Sequence, residues 1–282
     1  MTRTRYLALA LLFAVSACGG DDDGGSSGRD GGGADADVDP NAPDVAFRLT
    51  DLDLRDPHAY AFIGACNDVT EVENDDFQTQ ISEDNKGPEG DNPDGLLDLS
   101  GMAIFRPLDQ SAHDVMLEVL LGADCTAPIG STSCTKGDAS SITGTGANDT
   151  AAACDVVLAD TSNGDYDPGL EPAPAPCFAA EAPEGVLEFG AFQLSEVAGA
   201  ATYDGDPATG LMHGLLRGFL DEEYADNTNV DVPILGSKPL SSLLPGGTDN
   251  CADHDDRDMD SGGASGWYVY LTFTAVEVPY SE

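Results

Sequence analysis

The clearest hydrophobic pattern lies near the end of the chain. Trp267 to Val278 (WYVYLTFTAVEV) is rich in aromatic and β-branched residues and free of Gly and Pro, so it reads as a strand. Alternation puts Trp267, Val269, Leu271, Phe273 and Ala275 on one face. Tyr268, Tyr270, Thr272, Thr274 and Val276 fall on the other. Both faces are apolar enough for a central strand. Weaker strand patterns run over Val45–Leu54, Leu96–Phe105, Val115–Leu121, Asp155–Leu158 and Val186–Leu194. Turn signals at Asp94-Gly95, Pro168-Gly169 and Pro245-Gly246 separate them.

Helical signals are fewer. Asp221 followed by Glu222, Glu223, Tyr224 and Ala225 offers a capping side chain and then acids in the first turn. Pro239 to Leu244 reads as a short helix stopped by Pro245-Gly246. Leu211 to Leu220 (LMHGLLRGFL) carries Leu211, Leu215 and Phe219 at helical spacing. Gly214 and Gly218 each weaken a helix by about 1 kcal/mol relative to Ala, so this segment is core of either type. Many short strands with long polar loops predict a mainly β chain, a β-sandwich-like domain with one or two short helices.

The N-terminus departs from this pattern. Arg3 and Arg5 precede an apolar run from Tyr6 to Val15, and Ser16-Ala17-Cys18 follows. A positive start, an apolar middle and a small-residue exit are the parts of an export signal. The run is about half the ~20 residues a membrane-spanning helix needs. Val15-Ser16-Ala17-Cys18 resembles the lipobox of bacterial lipoproteins. That resemblance implies cleavage before Cys18, a diacylglycerol on its sulfur, and a membrane partner held through the lipid anchor. Gly19 in place of the aspartate that retains enterobacterial lipoproteins at the inner membrane implies the outer membrane. The expected location is the cell envelope. Residues 18–43 are Gly, Asp and Ser with almost no apolar side chain, a composition that stays a solvated tether. Residues 44–282 are then expected to form a single domain.

Charge narrows the partners. The chain has 52 acidic and 11 basic side chains, a formal charge of −41, and removing residues 1–17 takes away Arg3 and Arg5 but no acid. Phosphate contact needs clustered Lys and Arg, so nucleic acid is excluded as a natural partner. Docking on anionic lipid head groups is disfavoured for the same reason. Charge this large destabilises a compact state, and bound divalent cations would relieve it.

Six cysteines remain after Cys18: Cys66, Cys125, Cys134, Cys154, Cys177 and Cys251. An even number in an exported chain reads as a disulfide framework. Cys125 and Cys134 bracket a tight loop with Pro128 and Gly130, and Cys154 and Cys177 bracket a Pro/Asp-rich loop. Cys66 and Cys251 would then join the start of the domain to its end. The spacing lacks the paired short intervals of a structural zinc site.

Three acidic clusters suggest calcium. Asn92-Pro93-Asp94-Gly95-Leu96-Leu97-Asp98 resembles the middle of EF-hand, dockerin and thrombospondin-repeat calcium loops. The resemblance covers Asn92, Asp94, Gly95 and Asp98, while Gly90 and Gly101 stand where those loops carry their first and last acids. It implies oxygen ligands from Asn92, Asp94 and Asp98, with Gly95 permitting the bend. Asn163, Asp165 and Asp167 form a second run of alternating oxygens, and Asp253 and Asp255 belong to a third. Enzymatic signals are thin. None of His58, His113, His213 and His254 sits in a metalloprotease pattern, and residues 44–282 carry no nucleophile elbow, P-loop or dinucleotide fingerprint. His213, inside an apolar run, is expected in the core. The expected function is a calcium-stabilised binding or structural domain with a protein or glycan ligand; the alternative is a hydrolase using paired carboxylates. Trp267, Tyr268 and Tyr270 are expected to fill core before they stack on any ligand.

Overall fold

The computed structural model describes residues 43–84, 93–129, 133–155, 157, 169–232 and 236–282. The chain begins on β1 (Val45–Asp56), makes the small hairpin β2 (Tyr60–Phe62) and β3 (Cys66–Asp68), and enters helix α1 (Thr70–Ser82). Next come β4 (Gly101–Phe105), β5 (Asp114–Leu121) and the two-residue pieces β6 (Asp124–Cys125) and β7 (Cys134–Thr135). Strands β8 (Ser140–Asp149), β9 (Cys177–Ala182), β10 (Leu187–Phe189) and β11 (Phe192–Gly205) follow. The chain continues through β12 (Ala208–Asp221), α2 (Glu222–Asn227), β13 (Asn229–Val232) and β14 (Gly236–Pro239). A 3₁₀ turn (Leu240–Leu243), β15 (Asp258–Met259), β16 (Ser265–Glu277) and β17 (Tyr280–Ser281) complete it.

Strands β1, β4, β5, β8, β9, β11, β12 and β16 neighbour one another in chain order, all antiparallel. The β1–β16 pairing, with Phe47 opposite Glu277 and Leu52 opposite Phe273, joins the last of them to the first. The mainly β reading therefore holds, and the sheet curls into an up-and-down ring whose two sides pack together as a sandwich's would. Strand β16 has the expected inward face, with Trp267, Val269 and Leu271 all nearly inaccessible.

The interior is filled. Leu52, Leu54, Leu194, Leu220, Trp267 and Leu271 pack one end, and Phe47, Phe105, Leu117, Phe178 and Tyr203 the other. A ring of eight strands is just wide enough for side chains to fill or for one small ligand; here side chains fill it. Small residues make room for the large ones. A Cβ on Gly214 would stand 2.5 Å from the Phe273 ring, and one on Gly218 2.6 Å from Leu194 Cβ. That is why Leu211–Leu220 is strand despite its glycines. Its helical spacing is coincidental: Leu211 packs with Phe47 and Phe105, while Leu215 packs with Tyr270 and the Cys154–Cys177 loop. His213 is not a core residue. It sits exposed with φ 48° where the β12–β16 register slips between Leu211 and Gly214.

The outside of the ring is covered in two places by loops that disulfides hold down. Cys125–Cys134 fastens the segment over Met102, Ile104 and Leu120. Cys154–Cys177 fastens the segment that brings Val157 and Ala173 onto Ala198, Ala200, Leu215 and Tyr270. Cys66–Cys251 ties the β2–β3 hairpin to the loop before β15. All three bridges join the cysteines that their spacing paired. Of the expected strand at Asp155–Leu158, Asp155 and Val157 are described and neither is in a strand; Val157 is a buried anchor of the cover. Only Gly101–Phe105 of the Leu96–Phe105 pattern is a strand, and Leu96 makes an isolated bridge to Thr126. Val186–Leu194 is the hairpin of β10 into β11.

Helix α1 does work that a strand would otherwise do. Strand β4 pairs only with Val45–Arg48, which leaves the rest of that edge of β1 without a neighbouring strand. Asn74 accepts from the Leu54 N–H at 2.7 Å and donates to its carbonyl at 3.2 Å. Gln78 donates to the Thr50 carbonyl at 3.3 Å, and Ile81 enters the core. Arg48, fully buried, donates to the Ile81 carbonyl at 3.4 Å, in the last turn of α1 where the helix dipole is negative. Burial pulls this guanidinium down to about 10.

Candidate functional site

Cys18, Asn92, Asn163, Asp165 and Asp167 lie outside the described residues. Asp94 is described, and its carboxylate accepts from the Leu96 N–H at 2.9 Å. Asp84, from just beyond α1, reaches over the same turn and accepts from the N–H groups of Asp94 (3.0 Å) and Gly95 (2.7 Å). Gly95 adopts φ 91°, as the bend requires. The Asp98 N–H donates to the Glu83 carbonyl at 3.2 Å, so the backbone of this turn is fastened to the helix end. Asp84 was not among the expected ligands because it comes from just past the preceding helix, outside the loop motif.

The third acidic run is dispersed by its own hydrogen bonds. Asp255 grips Arg257 through Nε at 2.9 Å and Nη2 at 2.6 Å, and these bonds hold its carboxyl down to about 2. Arg257 also reaches Glu222 at 2.9 Å. Asp258 accepts from the Tyr268 N–H and Asp260 from the Ala264 N–H. Asp253 is fully solvent-exposed. Among the described residues, no three His, Cys, Asp or Glu side chains are grouped to hold a metal ion.

The aromatic residues of β16 serve packing and one polar network. Trp267 is fully buried and donates its indole N–H to the Pro245 carbonyl at 2.9 Å. Tyr268 donates its hydroxyl to Glu196 at 2.6 Å and lies 5.2 Å beneath the Arg217 guanidinium. Burial, with the Glu196 charge behind it, pushes this phenol up to about 12. Glu196 sits at φ 49° on the β11 bulge, where it also accepts from the backbone and hydroxyl of Ser261. Burial alone would raise Glu196, but the bonds from Ser261 and Tyr268 outweigh it and hold the carboxyl below the usual range. A carboxylate so fully engaged is a structural acceptor rather than a free acid or base.

A different feature has the form of a binding site. A partly enclosed cleft of about 200 Å³ opens at the Leu54 end of the barrel. Helix α1 forms one wall through Glu73, Asp76, Phe77 and Gln80. Leu54, Ala59 and Leu99 line the floor side; Gly190, Ala191 and Phe192 come from the β10–β11 turn. Val230 and Val232 of β13 and Leu240, Leu243 and Leu244 close the remaining side. Phe77 and Phe192 meet edge to face across 6.5 Å. The polar groups are confined to α1. Burial, then the neighbouring Asp76, raises the Glu73 carboxyl above its ordinary range. Asp76 accepts from Gln80 Nε2. The Glu73 carboxylate has no hydrogen-bond or ionic partner among the described residues. The two acids stand one helical turn apart on the same wall, whereas a glycosidase-like pair must flank the bond it cleaves. The arrangement is suited to binding.

Comparison with known proteins finds no matching family model, no similar curated protein and no similar solved structure.

Proposed function

We propose that this chain is a lipid-anchored protein of the bacterial cell envelope whose disulfide-bonded barrel binds a small ligand in the cleft at one end. The position of that cleft carries the reading. The chain enters the barrel at Pro43, whose carbonyl accepts from the Leu108 N–H, and β1 runs from there to Leu54 at the cleft. From Val45 to Leu54 is roughly 30 Å of strand. A tether leading to a lipidated Cys18 would therefore join one end of the barrel, with the binding cleft at the other. Lipid on Cys18 is the proposed means of attachment; no described helix is long and apolar enough to cross a membrane. The ring itself is apolar within, the reverse of the polar lumen of outer-membrane barrels.

Calcium belongs to the same proposal as a stabiliser. Asp84 and Asp94 share one turn just past α1, where the helix's C-terminal dipole is also negative, and a divalent cation would offset that repulsion. At a hundredfold excess over its dissociation constant the gain would be about 2.7 kcal/mol. Melting temperature should rise with calcium beyond the effect of sodium at equal ionic strength, and Asp84→Asn with Asp94→Asn should remove the difference. No calcium-specific shift in the wild type would end this part of the proposal.

Two further measurements test the rest. Cys18→Ala should abolish partition of the expressed chain into the detergent phase; unchanged partition would refute the anchor. Benzyl alcohol, a ring-sized probe, should perturb the chain near Phe77 and Phe192, and Ala191→Trp should block it. Absence of any such binding would refute the cleft as a ligand site.

A further inference from the structure

We infer that the cleft at the Leu54 end selects an apolar group bearing a positive charge: a small amine with a single ring or a branched alkyl chain of similar size. The inference rests on the cleft being a binding site and adds which chemistry it prefers. Size sets the first limit. An engineered apolar cavity of about 150 Å³ holds benzene, and this one measures about 200 Å³. One ring with a short substituent fits the enclosed part of the cleft.

The distribution of polar groups sets the second limit. The walls contributed by Leu54, Phe77, Phe192 and Leu244 offer no hydrogen-bonding side chain, so they suit a hydrocarbon surface. Glu73 and Asp76 stand together on the remaining wall, and no Lys or Arg lines the cleft. Glu73 is partly buried with no compensating charge among the described residues, and the second acid beside it makes its ionised form costlier still. A cation placed between the two carboxylates would supply the missing partner. A neutral isostere would gain only the apolar contacts, and an anion would be repelled. The formal charge of −41 reinforces this choice at long range, concentrating cations around the whole molecule.

The test uses the full-length chain and three ring-sized probes: benzylamine, benzyl alcohol and phenylacetate. Binding is measured by calorimetry at physiological ionic strength, where long-range attraction is screened. Benzylamine should bind about tenfold tighter than benzyl alcohol or better, a difference of about 1.4 kcal/mol, and phenylacetate should bind worst. Glu73→Gln with Asp76→Asn should reduce benzylamine to the affinity of benzyl alcohol. Asp75→Asn, on the same helix but outside the cleft, should leave the preference intact. Should benzyl alcohol bind, be blocked by Ala191→Trp and equal benzylamine, the cleft is a binding site but the cation preference is wrong. Should the preference survive the double variant, the charge selection lies elsewhere and the inference fails. If neither probe binds the wild type, the binding reading fails with it.

Discussion

Asn74 holds α1 to the barrel, and its removal tests whether the helix is attached by polar bonds or by apolar packing. The side chain is nearly inaccessible and satisfies both backbone groups of Leu54 at an edge where no strand continues. Asn74→Ala leaves a buried N–H and a buried carbonyl without that partner. Each such loss costs about 1–3 kcal/mol, and partial relaxation of the edge toward water brings the expected total to about 2–4 kcal/mol. Asn74→Leu separates the two explanations, because it keeps the branched shape and adds apolar contact while leaving the same two groups unpaired. Urea denaturation should show both variants destabilised to a similar extent. Hydrogen exchange should show the Leu54 amide losing protection in each. If Asn74→Leu stays within about 0.5 kcal/mol of the wild type, the scatter of neutral substitutions, and Leu54 stays protected, the polar account of the helix is wrong.

Replacing Cys66 and Cys251 by Ala removes a closure spanning 185 residues at exposed or half-exposed positions. Loop entropy predicts a loss of about 5 kcal/mol in denaturant titrations, and a loss under about 2 kcal/mol would show that the unfolded chain is not what this bridge restrains. Gly218→Ala pushes a methyl group into Leu194, so it should cost about 1–3 kcal/mol; a cycle with Leu194→Gly, which removes the Cβ it would meet, should recover part of that cost, and strict additivity would refute the contact. The raised Glu73 carboxyl means that the native state binds its proton more tightly than the unfolded chain. This group's effect on stability is therefore most favourable in acid and is lost as pH climbs from the ordinary value of 4.5 through the raised one. Melting curves of Glu73→Gln should lack that decline, and identical pH profiles for variant and wild type would refute the assignment.

Parts of this fold were legible in the sequence for physical reasons. Strand β16 announces itself because its inward residues are large and its outward residues still apolar. Strands β8 and β9 were missed because they carry Gly144, Gly146, Ala180 and Ala182, and small side chains give no periodic signal. Helix α1 was missed because the positions that bury it are Thr70, Asn74 and Ile81; the period is helical but two of the three residues are polar. The caps of α2 and the 3₁₀ turn were local features and were found at Asp221 and Pro239–Leu244. The cleft was out of reach of local reasoning. Its walls come from positions as distant as Leu54, Phe192 and Leu244, and only the folded ring brings them to Glu73 and Asp76.

Closure of the ring, with α1 lying along the remaining edge of β1, bears on life at high surface density. An open sheet presents a row of unpaired amides that neighbouring copies can extend into a fibre. Here the main row of strands has no first or last member, so crowded copies find no end strand of that row to extend. Their mutual charge adds a second deterrent. Chains packed side by side would then remain separate particles, each with its cleft unobstructed by its neighbours' strands.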